Sequence, residues 1–154
     1  MSDKVNAPGQ MGPERAAQEW RRLSPKLTPM LRNWIEQTVR TILASHVAVE
    51  QQRAQLERDL KQKAQTQAQQ ILSDPKLTTE DKIAVVLTLI AGKMEADIQN
   101  QMSVLENTQA PSIDVETMKL KRMIDKRSQM FDMMSQIIDK YNQTAKGIID
   151  SMGR

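Results

Sequence analysis

The sequence at positions 83–91 reads IAVVLTLIA, and this stretch decides the fold. Apolar residues stand on nearly every side of a helix drawn through it, whereas a surface helix carries a single apolar stripe. A helix that is apolar all round must be surrounded by other elements, so we predict that it lies at the centre of the packing. We take Ile83, Val86, Leu87 and Ile90 as the hydrophobic anchor of the protein.

The helix that carries this anchor is predicted over residues 79–107. Proline-containing breaks at 73–75 and 110–112 bound it on both sides, and Thr78 is placed to begin it. The segment 74–110 is net acidic, whereas the segments on either side of it are net basic. Opposite charges along neighbouring helices favour pairing, so we expect this segment to lie beside the others.

The most regular pattern in the chain follows the second break. Ser112 is a natural N-cap, and beyond it residues alternate steps of four and three, with Arg127 as the one charged residue in the series. This heptad seam predicts a coiled coil on a helix at 112–152, and we take it as the main self-association surface. Its apolar members are Leu120, Ile124, Phe131, Met134, Ile138, Tyr141, Ala145, Ile148 and Met152.

A first long helix is predicted over residues 29–73, because no glycine or proline interrupts it and apolar residues recur at helical spacing. Residues 1–27 hold several prolines and glycines and predict a flexible N-terminal arm. We therefore expect an all-α fold in which residues 28–154 form a single helical coiled-coil domain. Its three helices would build long coiled-coil arms, as a helical hairpin or an elongated bundle.

Composition argues against several classes of function. The chain has no cysteine, one histidine and five scattered glycines, and it lacks phosphate-loop, zinc and calcium motifs. His46 and Glu50 share a helix face and could couple a base to a carboxylate, but an ordinary ion pair on an exposed face is the simpler interpretation. We predict no enzymatic activity, no cofactor and no metal site.

The charge and hydropathy patterns bear on partners. Net charge is only +3, and acids interleave the one basic cluster, Lys119, Lys121, Arg122, Lys126 and Arg127, so nucleic-acid binding is disfavoured. The most apolar run, residues 83–91, is about half as long as a bilayer span requires, and the first 24 residues lack the apolar stretch of a secretory signal. We expect a protein made in the cytoplasm with no Sec signal, for which a specialised secretion system is the remaining export route.

Methionines concentrate near the C-terminus, where six of the eleven fall between Met118 and Met152. Met130 and Met133 lie off the heptad seam and widen the apolar face beyond what two helices cover. An intramolecular core would explain this, and so would a surface that binds another helix. The leading hypothesis is a self-assembling structural protein; the alternative is an adaptor or chaperone-like module that offers a Met-rich groove to a partner helix.

The run at residues 137–152, IIDKYNQTAKGIIDSM, resembles the C-terminal helices of needle and filament subunits of type III secretion systems. The resemblance covers about the last quarter of the chain. It implies a helical hairpin whose terminal helix lines a hollow tube, with a flexible, uncleaved N-terminal export segment. Needle subunits are about half as long as this chain, and the predicted helix at 29–73 has no counterpart in them.

Overall fold

The computed structural model describes residues 12–66 and 79–141, with side chains described as far as residue 137. Within these residues the chain is all-α and contains no strand, which confirms the predicted fold class for that part. The described residues form five α-helices in place of the predicted three, with short 3-10 turns at Ser24–Lys26 and Val49–Gln52. The helices are α1 (Pro13–Leu23), α2 (Pro29–Ala44), α3 (Arg53–Thr66), α4 (Thr79–Glu106) and α5 (Ile113–Tyr141).

Helix α4 is the central element of the bundle. It contacts α1, α2, α3 and α5, and every residue from Ile83 to Gly92 is buried. Three of the anchor residues, Val86, Leu87 and Ile90, have no exposed surface, and Ile83 is only 2% exposed. Burying one aliphatic side chain of this size contributes about 1.5–3 kcal/mol, so these consecutive turns supply a large share of the driving force for folding.

Helix α1 covers one side of α4, although the sequence predicts a flexible arm over residues 1–27. Pro13 stands at the start of the helix, where its missing N–H is tolerated. Ala16, Trp20 and Leu23 then recur at helical spacing and are buried in the common core. This apolar stripe outweighs the proline and glycine content, so the flexible arm is wrong for the second half of that segment. The first eleven residues lie outside the described part.

The predicted helix at 29–73 is interrupted after Ala44. Ser45 takes an extended backbone conformation, and its hydroxyl accepts a hydrogen bond from the Val47 N–H at 3.0 Å. A serine side chain that bonds nearby backbone in this way offers the chain an alternative to the helix. The break therefore occurs without glycine or proline. Residues 67–73 of the prediction lie outside the described part.

Side chains from α5 hold the segment after this break. Lys126 donates a hydrogen bond from Nζ to the Val47 carbonyl oxygen, and Gln129 Oε1 accepts the Val49 N–H at 2.7 Å. Both contacts satisfy backbone groups that a helix would have paired internally. Contact with α5 therefore compensates for the missing helical bonds, and a local sequence pattern could not show this.

Helices α4 and α5 form an antiparallel hairpin around a short loop. Helix α4 ends at Glu106 and α5 begins at Ile113, within one residue of the predicted boundaries. The Ala110–Pro111 peptide bond in the loop is cis. Long coiled-coil arms are not seen in the described residues, because α1, α2, α3 and α5 all pack around α4.

Candidate interaction surface on the α4–α5 hairpin

Helix α5 turns a different face to the core from the one that the heptad seam predicts. Three seam residues, Leu120, Ile124 and Phe131, are only half-buried at the edge of the core. The side chains of α5 with no exposed surface are Met130, Met133, Met134 and Ile137. The buried arc is shifted and widened because α5 packs against both α4 and the segment around Val49.

The remaining five seam residues follow Ile137. The side chains of Ile138 and Tyr141 lie outside the described part of the structure, as do Ala145, Ile148 and Met152. The seam therefore stays a prediction beyond residue 137. In the described part, Met134 is its one fully buried member, and it packs inside the monomer.

Arg127, the one charged residue of the seam, forms a cross-helix ion pair. Its Nη1 lies 2.9 Å from Glu95 Oε1 on α4, and the Glu95 side chain is only 8% exposed. A carboxylate this well buried needs a charged or strongly donating partner. The charge in the seam is therefore used to join α5 to the central helix.

The other basic residues of the cluster divide between the inside and the outside of the protein. Lys126 is buried and bonds the Val47 carbonyl oxygen. Lys119, Lys121 and Arg122 are exposed, and no hydrogen bond or ion pair within the described ranges engages them. We refer to Lys119, Lys121 and Arg122 as the basic collar.

The end of the hairpin, residues 102–118, is acidic and apolar and contains no lysine or arginine. We refer to these residues as the acidic tip. Its charges are Glu106, Asp114 and Glu116, of which Glu116 accepts a hydrogen bond from Gln101 at 2.6 Å. Large apolar side chains stand in solvent between them, at 40–70% exposure: Met102, Val104, Ile113, Val115 and Met118.

A cleft of about 580 Å³ lies between α2, α4 and α5 behind the acidic tip. Leu43, Val104 and Met123 supply apolar lining, and Lys119 and Arg122 of the basic collar stand at its edge. The cleft extends from the basic collar to α2. Arg40 and Lys93 also line it, together with the acids Glu36 and Asp97, so its charge is net positive and suits acidic, apolar surfaces.

The described residues also bear on catalysis, metal binding and membrane insertion. His46 lies exposed in the break after α2, whereas the sequence predicts it in mid-helix. No three acidic or histidine side chains among the described residues come together in a way that could hold a metal ion. The helices of residues 12–66 and 79–141 include none with the length and apolar character needed to cross a membrane.

The basic cluster that contains the collar is evident in the sequence, whereas the acidic tip was not identified from it. The signal was present, because acids are the only charges from Met94 to Met118 and bases dominate from Lys119 to Arg127. The sign of the charge changes within a single hairpin. The acidic residues and the basic residues therefore lie next to each other along it. Averaging charge over whole segments concealed the change of sign.

No protein-family model matches the chain, and no curated protein sequence or solved structure shows a significant match to it.

Proposed function

We propose that this chain is a non-enzymatic helical protein that works by associating with other copies of itself. The observation that carries the proposal is the exposed apolar surface of the acidic tip, where Val115 is 66% and Met118 is 70% exposed. Scattered single apolar residues are ordinary on a protein surface, but a group of them at the end of one hairpin is typical of an interaction site.

The composition of that surface favours another copy as partner. The acidic tip and the basic collar have opposite charges and lie next to each other on the same hairpin. A surface that carries both halves of a complementary pair can match a second copy of itself. Association would also bury the exposed methionine and valine side chains. Removing this apolar surface from water would stabilise the complex.

A more specific proposal is that the chain is a subunit of a filament or of a secretion system. The resemblance of residues 137–152 to needle and filament subunits supports this proposal. A filament requires a head-to-tail contact that does not close, whereas a two-fold contact ends at a dimer. A filament subunit therefore needs a second contact surface besides the hairpin.

Sedimentation velocity over a wide range of protein concentration tests the proposal. We expect the weight-average sedimentation coefficient to rise with concentration, with folded helical protein at every point by circular dichroism. A folded monomer at all concentrations up to the solubility limit would refute self-association. Negative-stain electron microscopy of the same samples separates filaments from discrete particles.

The cleft between α2, α4 and α5 favours a second candidate, an adaptor that binds a partner helix. The apolar side chains of Leu43, Val104 and Met123 line it, and helix-in-groove recognition uses such a floor. Of the methionines expected in a Met-rich groove, Met130, Met133 and Met134 are buried in the core, and Met123, which lines the cleft, is itself only 7% exposed. This function predicts that Leu43→Asp, at a half-buried position of the cleft, abolishes partner binding and leaves the oligomeric state unchanged.

A further inference from the structure

Three exposed residues of α5 form a self-complementary series, of which Arg122 also borders the cleft. Asp114, Met118 and Arg122 follow one another at four-residue steps, and residues at this spacing share one face of a helix. All three are exposed, and Met118 is the most exposed large apolar side chain in the described residues. The acid and the base stand at equal distances on either side of the methionine.

We propose that α5 packs antiparallel against α5 of a second copy, about a two-fold axis that passes close to Met118. In this register Met118 meets Met118 of the second copy. Asp114 of each copy faces Arg122 of the other, so the ion pair forms twice. A two-fold contact requires such self-complementarity, because each residue and its partner exchange roles across the axis. The inference rests on the proposed self-association and names its contact.

The charges select the antiparallel arrangement. A parallel pairing in register would place Asp114 against Asp114 and Arg122 against Arg122, and both pairs repel. Antiparallel pairing instead brings the acidic tip of each copy onto the basic collar of the other. Val115 then lies against the aliphatic part of Lys121 from the second copy, which covers a second exposed apolar side chain.

Among the described residues, neither Asp114 nor Arg122 has a charge partner within the monomer. No ion pair or side-chain hydrogen bond to either is found in residues 12–66 and 79–137. Pairing between copies therefore breaks no existing contact of these two groups. The same groups would also attract an acidic helix from an unrelated protein, and the test below separates that occupant from a second copy.

A cysteine at the axis gives a direct test, because the chain contains no cysteine of its own. Met118→Cys places two thiols next to each other across the two-fold axis, so mild oxidation should yield a disulfide-linked dimer as the main product. Met30→Cys is the matched control: Met30 is 64% exposed on α2 and lies away from the proposed contact. Equal cross-linking of the two variants would indicate random collision and overturn the register.

Charge reversal tests the ion pairs in the otherwise native chain. Asp114→Arg and Arg122→Asp should each raise the dimer dissociation constant at least about tenfold, because each turns two attractive pairs into repulsive ones. In the double variant the acid and the base exchange positions, so both ion pairs can form again. Its dimer dissociation constant should therefore return to within about threefold of the native value. Lys61→Glu, an exposed reversal on α3, controls for net charge.

The outcomes separate this inference from the function on which it rests. A native chain that stays monomeric in sedimentation velocity refutes both. Concentration-dependent association that neither reversal weakens, together with no preferential cross-linking of Met118→Cys, overturns the α5 contact alone and places self-association elsewhere. Weakening by both single reversals without recovery in the double variant also overturns it, since the basic collar would then bind a different acidic surface.

Discussion

Gly92 of α4 lies directly beneath Ala16 of α1, so closely that a Cβ atom built on Gly92 would stand 2.1 Å from the Ala16 carbonyl oxygen. The same atom would lie 2.9 Å from Trp20 Cβ. The two helix backbones are therefore in direct contact, and only a residue without a side chain fits between them. This crossing fixes α1 on the central helix.

Gly92→Ala should destabilise the protein, although alanine is the better helix former. The intrinsic gain in a helix is about 0.5–1 kcal/mol, whereas forcing an extra carbon into a packed interface costs about 1–3 kcal/mol. The obstacle is backbone, so it cannot rotate away. We expect a net loss of about 1–2 kcal/mol in the free energy of unfolding, measured by urea denaturation.

Ser103→Ala is the matched control for this substitution, because Ser103 is an exposed residue on the same helix. It should leave the free energy of unfolding within about 0.5 kcal/mol of the native value. A Gly92→Ala variant as stable as this control would show that α1 does not hold the close position on α4.

The two tryptophans should differ in their contribution to stability. Trp20 on α1 is 7% exposed in the core, and Trp20→Ala should cost about 3–5 kcal/mol. Trp34 on α2 is half-buried, with Lys63 Nζ 5.7 Å from its ring centroid, and its replacement should cost clearly less. Thermal unfolding of both variants measures the difference. Equal losses of stability in the two variants would contradict the packing of α1. A Trp20→Ala variant as stable as the native protein would support the flexible arm that the sequence predicts.

Sequence patterns predicted the elements whose information is local. The segment from Ile83 to Ile90 is apolar on nearly all sides, and such a helix has to be buried whichever elements surround it. The hairpin boundaries at Glu106 and Ile113 follow from Pro111 and the capping residues around it. For these elements the physical cause lies within the same few residues.

The features that were not predicted depend on distant contacts. The break after Ala44 is stabilised by Lys126 and Gln129, which lie about 80 residues further along the chain. Helix α1 packs closely on α4 because Gly92 leaves space for its backbone. The buried face of α5 is rotated from its heptad seam because two neighbours share that helix. The candidate contact on α5 was missed for a similar reason, since only the folded hairpin shows which of its charges remain in solvent.

The ion pair between Glu95 and Arg127 should show strong coupling. Arg127→Met leaves the Glu95 carboxylate, 8% exposed, without its charged partner, and should cost about 1–3 kcal/mol. Glu95→Gln in the Arg127→Met background should recover part of that loss, because no buried charge then remains. A double-mutant cycle in urea gives the coupling free energy, which we expect at about 1 kcal/mol or more. Additive effects would show that the pair is not formed in solution.

Lys126→Met should loosen the segment after α2 more than it lowers global stability. The substitution keeps the aliphatic stem but removes the Nζ donor to the Val47 carbonyl oxygen. We expect faster amide hydrogen exchange over the Val49–Gln52 turn, whose Val49 N–H still bonds Gln129. Lys121→Met, at an exposed position of the same helix, should leave exchange in this turn unchanged. Equal exchange in the two variants would contradict the role assigned to Lys126.

Self-association through the α5 contact should weaken as salt concentration rises. Asp114 and Arg122 are exposed, so their attraction is screened as the Debye length falls from about 30 Å at 0.01 M to about 3 Å at 1 M ionic strength. Sedimentation equilibrium in increasing sodium chloride should show a steadily rising dimer dissociation constant. The Asp114→Arg, Arg122→Asp double variant should follow the same salt dependence, because its pairs are reversed but equally exposed. Association that tightens with salt in both proteins would show that apolar burial around Met118 dominates the contact and that the charges contribute little to it.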